Sequence, residues 1–242
     1  NTIHQSLYKD SLLKYVSQSE YLTLLGAIDN ISHLLPFYDM WDISRNIRED
    51  EDLLKCWQSV GVKDLNDAFQ SGEDKYGLSL VRKLVDTYGY HSDKELDVTY
   101  PCYYEDATPM LGSIRDMLAL SDEFSPMEDK KRGEAAYKAI LDKIRQNVSK
   151  RKYRKIEAKI MNMRKMLWWR EEYRDISTRF YYIIRIYTME LAKQLVKENV
   201  LKDVEDIWFT RVSDLWDYLD GKLTAEELQQ TIVSKREYYN AF

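Results

Sequence analysis

Glycine and proline are scarce in this chain of 242 residues, which holds eight Gly and four Pro. Neither occurs between Gly133 and Gly221. Both residues interrupt regular helix, so a stretch of this length without them suits helices and little else. There is no glycine doublet and no glycine-rich phosphate loop of either common kind, so ATP has no evident cradle in this sequence. A GxSxG elbow and an HExxH helix are missing too, which argues against hydrolase triads and zinc proteases. Cys56 and Cys102 are the only cysteines and stand far apart, which gives little support to a disulfide framework or a zinc site and suits a reducing, cytoplasmic setting. No apolar run approaches the roughly 20 residues that cross a bilayer, and no secretory signal opens the sequence. No membrane partner is therefore expected.

With 44% hydrophobic and 32% charged residues, the chain has the composition of a folded globular protein. Apolar residues recur at helical spacing, as in Leu12, Tyr15, Val16 and then Leu22, Leu25, Ile28, with Pro36 and Gly61 as breaks. Between Tyr88 and Pro109 the period is lost in YGYHSDKELDVTYPCYYEDATP, an ordered loop rich in Tyr. Two further stripes run through Ala136, Ile140, Ile144, Val148 and through Ile156, Ile160, Met163, Leu167, predicting two helices or one long bent one. A third stripe, Ile176, Phe180, Ile183, Tyr187, Leu191 and Leu195, starts beside the candidate caps Asp175 and Ser177 and is expected to run to about Asn199. The segment DVEDIWFTRVSDLW reads as a short extended piece entering a helix capped by Ser213 or Asp214. Thr224 and Glu227 have capping-box spacing and open the last helix. The fold class is all-α: a multi-helix domain with long antiparallel helices, one Tyr-rich loop, and at most a few strand residues near Leu96–Tyr100 or Ile207–Phe209. The chain opens on Asn1 and closes just after the amphipathic segment Glu226 to Tyr239, and reads as a piece of something longer.

Charge is unevenly spread. From Lys143 to Lys165 there are ten Lys or Arg against the single Glu157, in a chain of formal net charge −5. With Tyr153, Trp168 and Trp169 as stacking groups this resembles a nucleic-acid surface. The buried stripe of Ile156, Ile160 and Met163 through the same residues favours the solvated face of an amphipathic helix, and no nucleic-acid partner is expected. Of the three histidines, His4, His33 and His91, a lone His is more often packed or on the surface; His91 is the exception, because Glu95 and Asp97 lie near it in the loop. Arg170, Glu171, Arg174 and Arg179 follow a Trp pair at helical spacing, which places two or three guanidinium forks on one face, suited to a carboxylate or phosphate. Surface ion pairing with Glu171, Glu172 and Asp175 is the plainer reading of the same residues.

Two segments carry a family resemblance. YGYHSDKELDVTYPCYYEDATPML, Tyr88 to Leu111, is similar to a stretch of the phosphoenolpyruvate-synthase-like phosphotransferases, the group that includes rifampin phosphotransferase and small-molecule kinases such as glutamine kinases; Glu95, Asp97, Pro101, Glu105 and Pro109 stand at the matching places. WREEYRDISTRFYYIIRIYTMELAKQLVKENVLKDVEDIWFTRVSDL, Trp169 to Leu215, resembles that family's Arg-Glu-aromatic-Pro-Lys segment, long helix and following turn. The sequence departs from the pattern with Tyr173 in place of Pro, Arg174 in place of Lys, and His91 in place of a loop Arg. The resemblance implies one helical acceptor-binding domain over 1–242, with subregions at 1–87, 88–109 and 134–242. It also implies ATP-grasp-like and phosphohistidine domains elsewhere in the same polypeptide. ATP and Mg2+ would serve the full-length enzyme and no cofactor this fragment, which would be inactive alone. It puts His91, Glu95, Asp97, Arg170, Glu171 and Arg174 at the acceptor, with Glu171 or His91 as its base and no metal ligands. The charges point to a polar amino-acid-like or carboxylate acceptor. The rival reading is a non-catalytic helical module for protein interaction. Convergence of His91, Glu95 and Arg170 on one concavity separates the two.

Overall fold

The computed structural model describes residues 8–73 and 75–241, and among these every regular element is helical. His4 lies outside the described residues. The chain divides into two compact units, Asn1–His91 with Cys102–Ser177, and Ser92–Pro101 with Thr178–Phe242.

The first unit contains α1 (Gln18–Leu25), α2 (Leu35–Glu49), α3 (Glu51–Ser59), α4 (Val62–Gln70), α5 (Leu78–Tyr88), α6 (Thr108–Leu118) and α7 (Pro126–Asn147). It also holds the N-terminal part of α8, the helix Lys150–Lys197. Two cores hold it together. In the first, Ile43 and Ile47 of α2, Trp57 of α3, Leu65 of α4, Val81 and Val85 of α5 and Ile114 of α6 pack among one another. In the second, α7 and α8 fold back across residues 148–149, so that Ile140 and Ile144 meet Ile156, Ile160 and Met163, and Leu12, Val16, Tyr21 and Leu24 close the cluster. These pairings join the two stripes expected from the sequence period. In α1 the register differs from the expected one: Tyr21 and Leu24 are buried, whereas Leu22 is 59% exposed. Pro36 sits in the first turn of α2, where its missing N–H costs no helical bond.

In the second unit, the C-terminal part of α8 packs Ala192 and Leu195 against Ile207 and against Leu228 and Ile232 of α10 (Ala225–Asn240). α9 (Val212–Leu219) lies between them in sequence. Three expectations are corrected here. The helix expected to begin at Asp175 or Ser177 does not begin there, because α8 runs unbroken through both. Asp175 is buried in its interior, and the Ser177 hydroxyl donates to the Tyr173 carbonyl at 2.8 Å. The third apolar stripe is largely exposed: Phe180, Ile183, Tyr187 and Leu191 face outward, and only Leu195 of that row is buried. Helical periodicity marks an apolar face but not what covers it. The piece expected to be extended is a 3-10 helix, Val204–Phe209, because the Asp203 carboxylate caps it by accepting from the Glu205 N–H at 2.8 Å. α9 begins after Arg211 as N-cap, with Asp214 three residues in, accepting from the Arg211 N–H.

The close of α8 and the opening of α10 follow the sequence signals. Asn199 takes the left-handed conformation (φ 61°) just past α8, and the Val200 N–H bonds back to the Leu195 carbonyl at 2.8 Å. At Thr224 the capping box is complete: the Thr224 hydroxyl accepts from the Glu227 N–H at 3.2 Å, and the Glu227 carboxylate accepts from the Thr224 N–H at 2.8 Å. The Thr224 backbone N–H and then its side chain hold the Glu227 carboxyl below its ordinary range. Its contribution is therefore present above the ordinary Glu pKa and is lost as pH falls through the depressed one. Thr224→Ala should lower stability by about 1 kcal/mol, read from urea midpoints at an unchanged m-value.

Candidate functional site

The buried stripe of α8 does not stop at Met163; the same helical face goes on as Arg164, Leu167, Trp168, Glu171 and Glu172, and these residues reach toward the segment 24–34. Arg164 donates to the carbonyl oxygens of Leu24, Gly26 and Ala27 at 3.0, 2.6 and 2.8 Å. The Trp168 indole donates to the Asn30 carbonyl at 2.9 Å. Glu172 accepts from both the N–H and the hydroxyl of Ser32, at 2.9 and 2.7 Å. These bonds hold the segment in a demanding shape, for Ala27 (φ 45°) and Asn30 (φ 53°) are left-handed without being glycine. Each such residue costs about 1–2 kcal/mol, which the surrounding bonds offset. From α7 the Lys130 ammonium lies 2.8 Å from the Asp29 carboxylate. That hydrogen bond raises the pKa of Lys130 and lowers that of Asp29. Gly133 brings α7 in close: a Cβ there would stand 2.8 Å from the Ala27 methyl.

Between this segment, α2, α7 and α8 lies a cavity of about 580 Å³. Its walls are apolar at Leu25, Phe37 and Leu167 and polar at His33, Arg170 and Glu171. The Arg170 side chain is 63% exposed and Glu171 only 15%. The Arg170 Nε and Nη2 both donate to Glu171 Oε1, at 2.7 and 2.5 Å. The guanidinium is thereby fixed at the cavity edge, with Nη1 turned to neither carboxylate oxygen in any hydrogen bond among the described residues. On the other side, His33 Nδ1 is 3.7 Å from Glu171 Oε2. That nitrogen is shut off from solvent and has no hydrogen-bond partner among the described residues.

The remaining candidates fall elsewhere. His91 is buried in the first unit, its Nε2 3.5 Å from Asp175 Oδ1, while Tyr90 donates its phenolic O–H to the same oxygen at 2.7 Å and lies 4.3 Å from the imidazole ring. This cluster ties the Tyr-rich loop to α8 inside the first unit and does not line the cavity. Glu95, half-buried, and Asp97, exposed, belong to the second unit. Asp97 closes its own turn by accepting from the Thr99 hydroxyl and N–H at 2.7 and 3.0 Å, the bonds that lower its pKa. Arg174 is exposed on α8. Of His91, Glu95 and Arg170, then, Arg170 alone lines this cavity, and Glu171 joins it. His33 is the cavity residue that the sequence does not single out. Its position depends on a turn pinned by Glu172 of α8, and no local spacing announces that. Trp168, a candidate stacking group by sequence, is committed to Asn30.

A family model described as the rifampicin phosphotransferase fourth domain matches residues 2–171. The whole cavity lining, from Leu25 to Glu171, falls inside the match. No curated protein matches the chain.

Proposed function

The chain belongs to the rifampicin phosphotransferase fourth-domain family, and from that premise we propose that it is the acceptor-binding part of a phosphotransferase, with the cavity edged by Arg170 and Glu171 as its acceptor site. One observation carries the reading: the Arg-Glu pair picked out by the family resemblance is the pair that edges this cavity. The acceptor is a small molecule with a carboxylate or amino-acid-like group, for which the fixed Arg170 fork supplies the charge and the Phe37 and Leu167 walls a place for its apolar body. A phosphohistidine on a swivelling domain of the full-length enzyme supplies the phosphoryl group. The residues here hold the acceptor, keep water away and offset negative charge. Among the described residues no three of His, Cys, Asp and Glu are grouped to hold a metal ion. ATP and Mg2+ are assigned on this reading to other segments of the enzyme, since the sequence carries no glycine-rich phosphate loop. No helix among the described residues is long and apolar enough to cross a membrane.

The purified chain should turn over neither ATP nor phosphoenolpyruvate, yet bind candidate carboxylate and amino-acid acceptors. Amide NMR shifts at Gly26 and Gly133, the cavity glycines, are the expected response. Shifts confined to the second unit, or turnover that survives rigorous repurification, would sink the proposal. A second reading, a helical interaction module, is favoured by the exposed row Phe180, Ile183, Tyr187 and Leu191 on α8.

A further inference from the structure

His33 is an isolated histidine in the sequence, but its setting in the fold is that of a working imidazole. Three features define it. The ring sits on the 3-10 turn Ser32–Leu34, which Glu172 fixes through both the N–H and the hydroxyl of Ser32. One ring nitrogen, Nδ1, is sealed from solvent with no hydrogen-bond partner among the described residues, and the Glu171 carboxylate lies near it, with Oε2 at 3.7 Å. The side chain as a whole is still 21% exposed, and it lines the cavity, so its open edge is the one away from Nδ1, where Nε2 is the remaining nitrogen. Glu171 is itself held from behind by two bonds from Arg170 to Oε1, which leaves Oε2 for the imidazole.

A carboxylate that accepts a hydrogen bond from the N–H of one ring nitrogen fixes the tautomer and leaves the other nitrogen bare, as an acceptor or base. The 3.7 Å gap is a little beyond a formed hydrogen bond, but with Nδ1 sealed from solvent the carboxylate is placed to bias the tautomer even without a ligand. We propose that Glu171 and His33 form a carboxylate–imidazole dyad whose Nε2 is presented to the cavity. It would accept a hydrogen bond from the hydroxyl or N–H of a ligand whose anionic group lies on Arg170. The inference rests on the acceptor-site reading for the ligand, and it moves the proton-accepting role from His91, which is buried on Asp175, to His33. Glu171 becomes a positioning residue.

The dyad has signatures that need neither acceptor nor transfer, so it can fail while the acceptor site stands, and the reverse. In the chain labelled with 15N-histidine, the His33 signals are assigned by their loss in His33→Gln. In its neutral form the His33 ring should carry its proton on Nδ1 with Nε2 bare. Glu171→Ala should return the ring to the Nε2–H tautomer that free histidine prefers. Diethyl pyrocarbonate, which acylates a bare imidazole nitrogen, should label His33 in the folded chain and leave His91 unmodified, as mapped by mass spectrometry. An Nε2–H tautomer in the wild-type chain, an unchanged tautomer in Glu171→Ala that folds by circular dichroism, or a His33 that resists the reagent until unfolding overturns the proposal.

Discussion

In the full-length phosphotransferase, Arg170→Ala is expected to slow phosphoryl transfer to the acceptor by about 10² to 10³-fold, the scale of losing one donor aimed at developing charge. On the proposed reading, self-phosphorylation of the phosphohistidine domain should stay near wild type. The separation matters because Arg170 edges the cavity and touches Glu171. Its hydrogen bonds among the described residues all go to Glu171. As a surface residue it would move stability by no more than about 0.5 kcal/mol and leave transfer alone. The two readings thus differ in single-turnover rates, measured from pre-formed phosphoenzyme with acceptor in excess. Transfer at the wild-type rate in Arg170→Ala rules out the acceptor-site assignment and leaves the family membership untouched.

The largest effect on folding is expected at Trp57. Its side chain is fully buried in the core of α2 to α6, and the indole donates to the Tyr76 carbonyl at 2.8 Å. That carbonyl belongs to a residue in the left-handed conformation (φ 59°) two positions before the start of α5. Trp57→Ala leaves a void that neighbouring helices fill only in part and strips the carbonyl of its donor. The expected cost is about 3–5 kcal/mol, a third or more of the stability of many domains. At about 2–4 °C per kcal/mol for a chain of this size, the unfolding midpoint should fall by about 6–20 °C. A fall of less than about 3 °C by calorimetry would mean that the helices collapse onto the site and that the core is less tightly packed than its burial implies.

Some elements are legible in the sequence because their causes are local. A capping box needs only Thr224 and Glu227 three residues apart. The helical stretch after Gly133 needs only the want of helix breakers, and the stripes of α7 and α8 need only period. Where two causes compete, sequence pattern misleads. Ile176, Phe180, Ile183 and Tyr187 have the period of a core face, but periodicity records which residues share a face and not whether another element covers it. Asp175 has the look of a helix cap and is instead a buried acceptor for Tyr90, because a carboxylate accepts as readily from a side chain across the fold as from the next turn's N–H.

The sequence by itself determined that the chain is helical, that the stretch after Gly133 holds long helices, and that Arg170 and Glu171 share a helix next to a Trp pair, since each of these depends on neighbours within a few residues. Only the tertiary structure decided that His33 meets Glu171, that His91 does not line the cavity, and that Glu95 and Asp97 belong to a different unit. The reason is physical. A site is made where α8 returns past a strained loop fixed by Arg164, Trp168 and Glu172, and hydrogen bonds between residues so far apart in sequence leave no periodic trace in the chain.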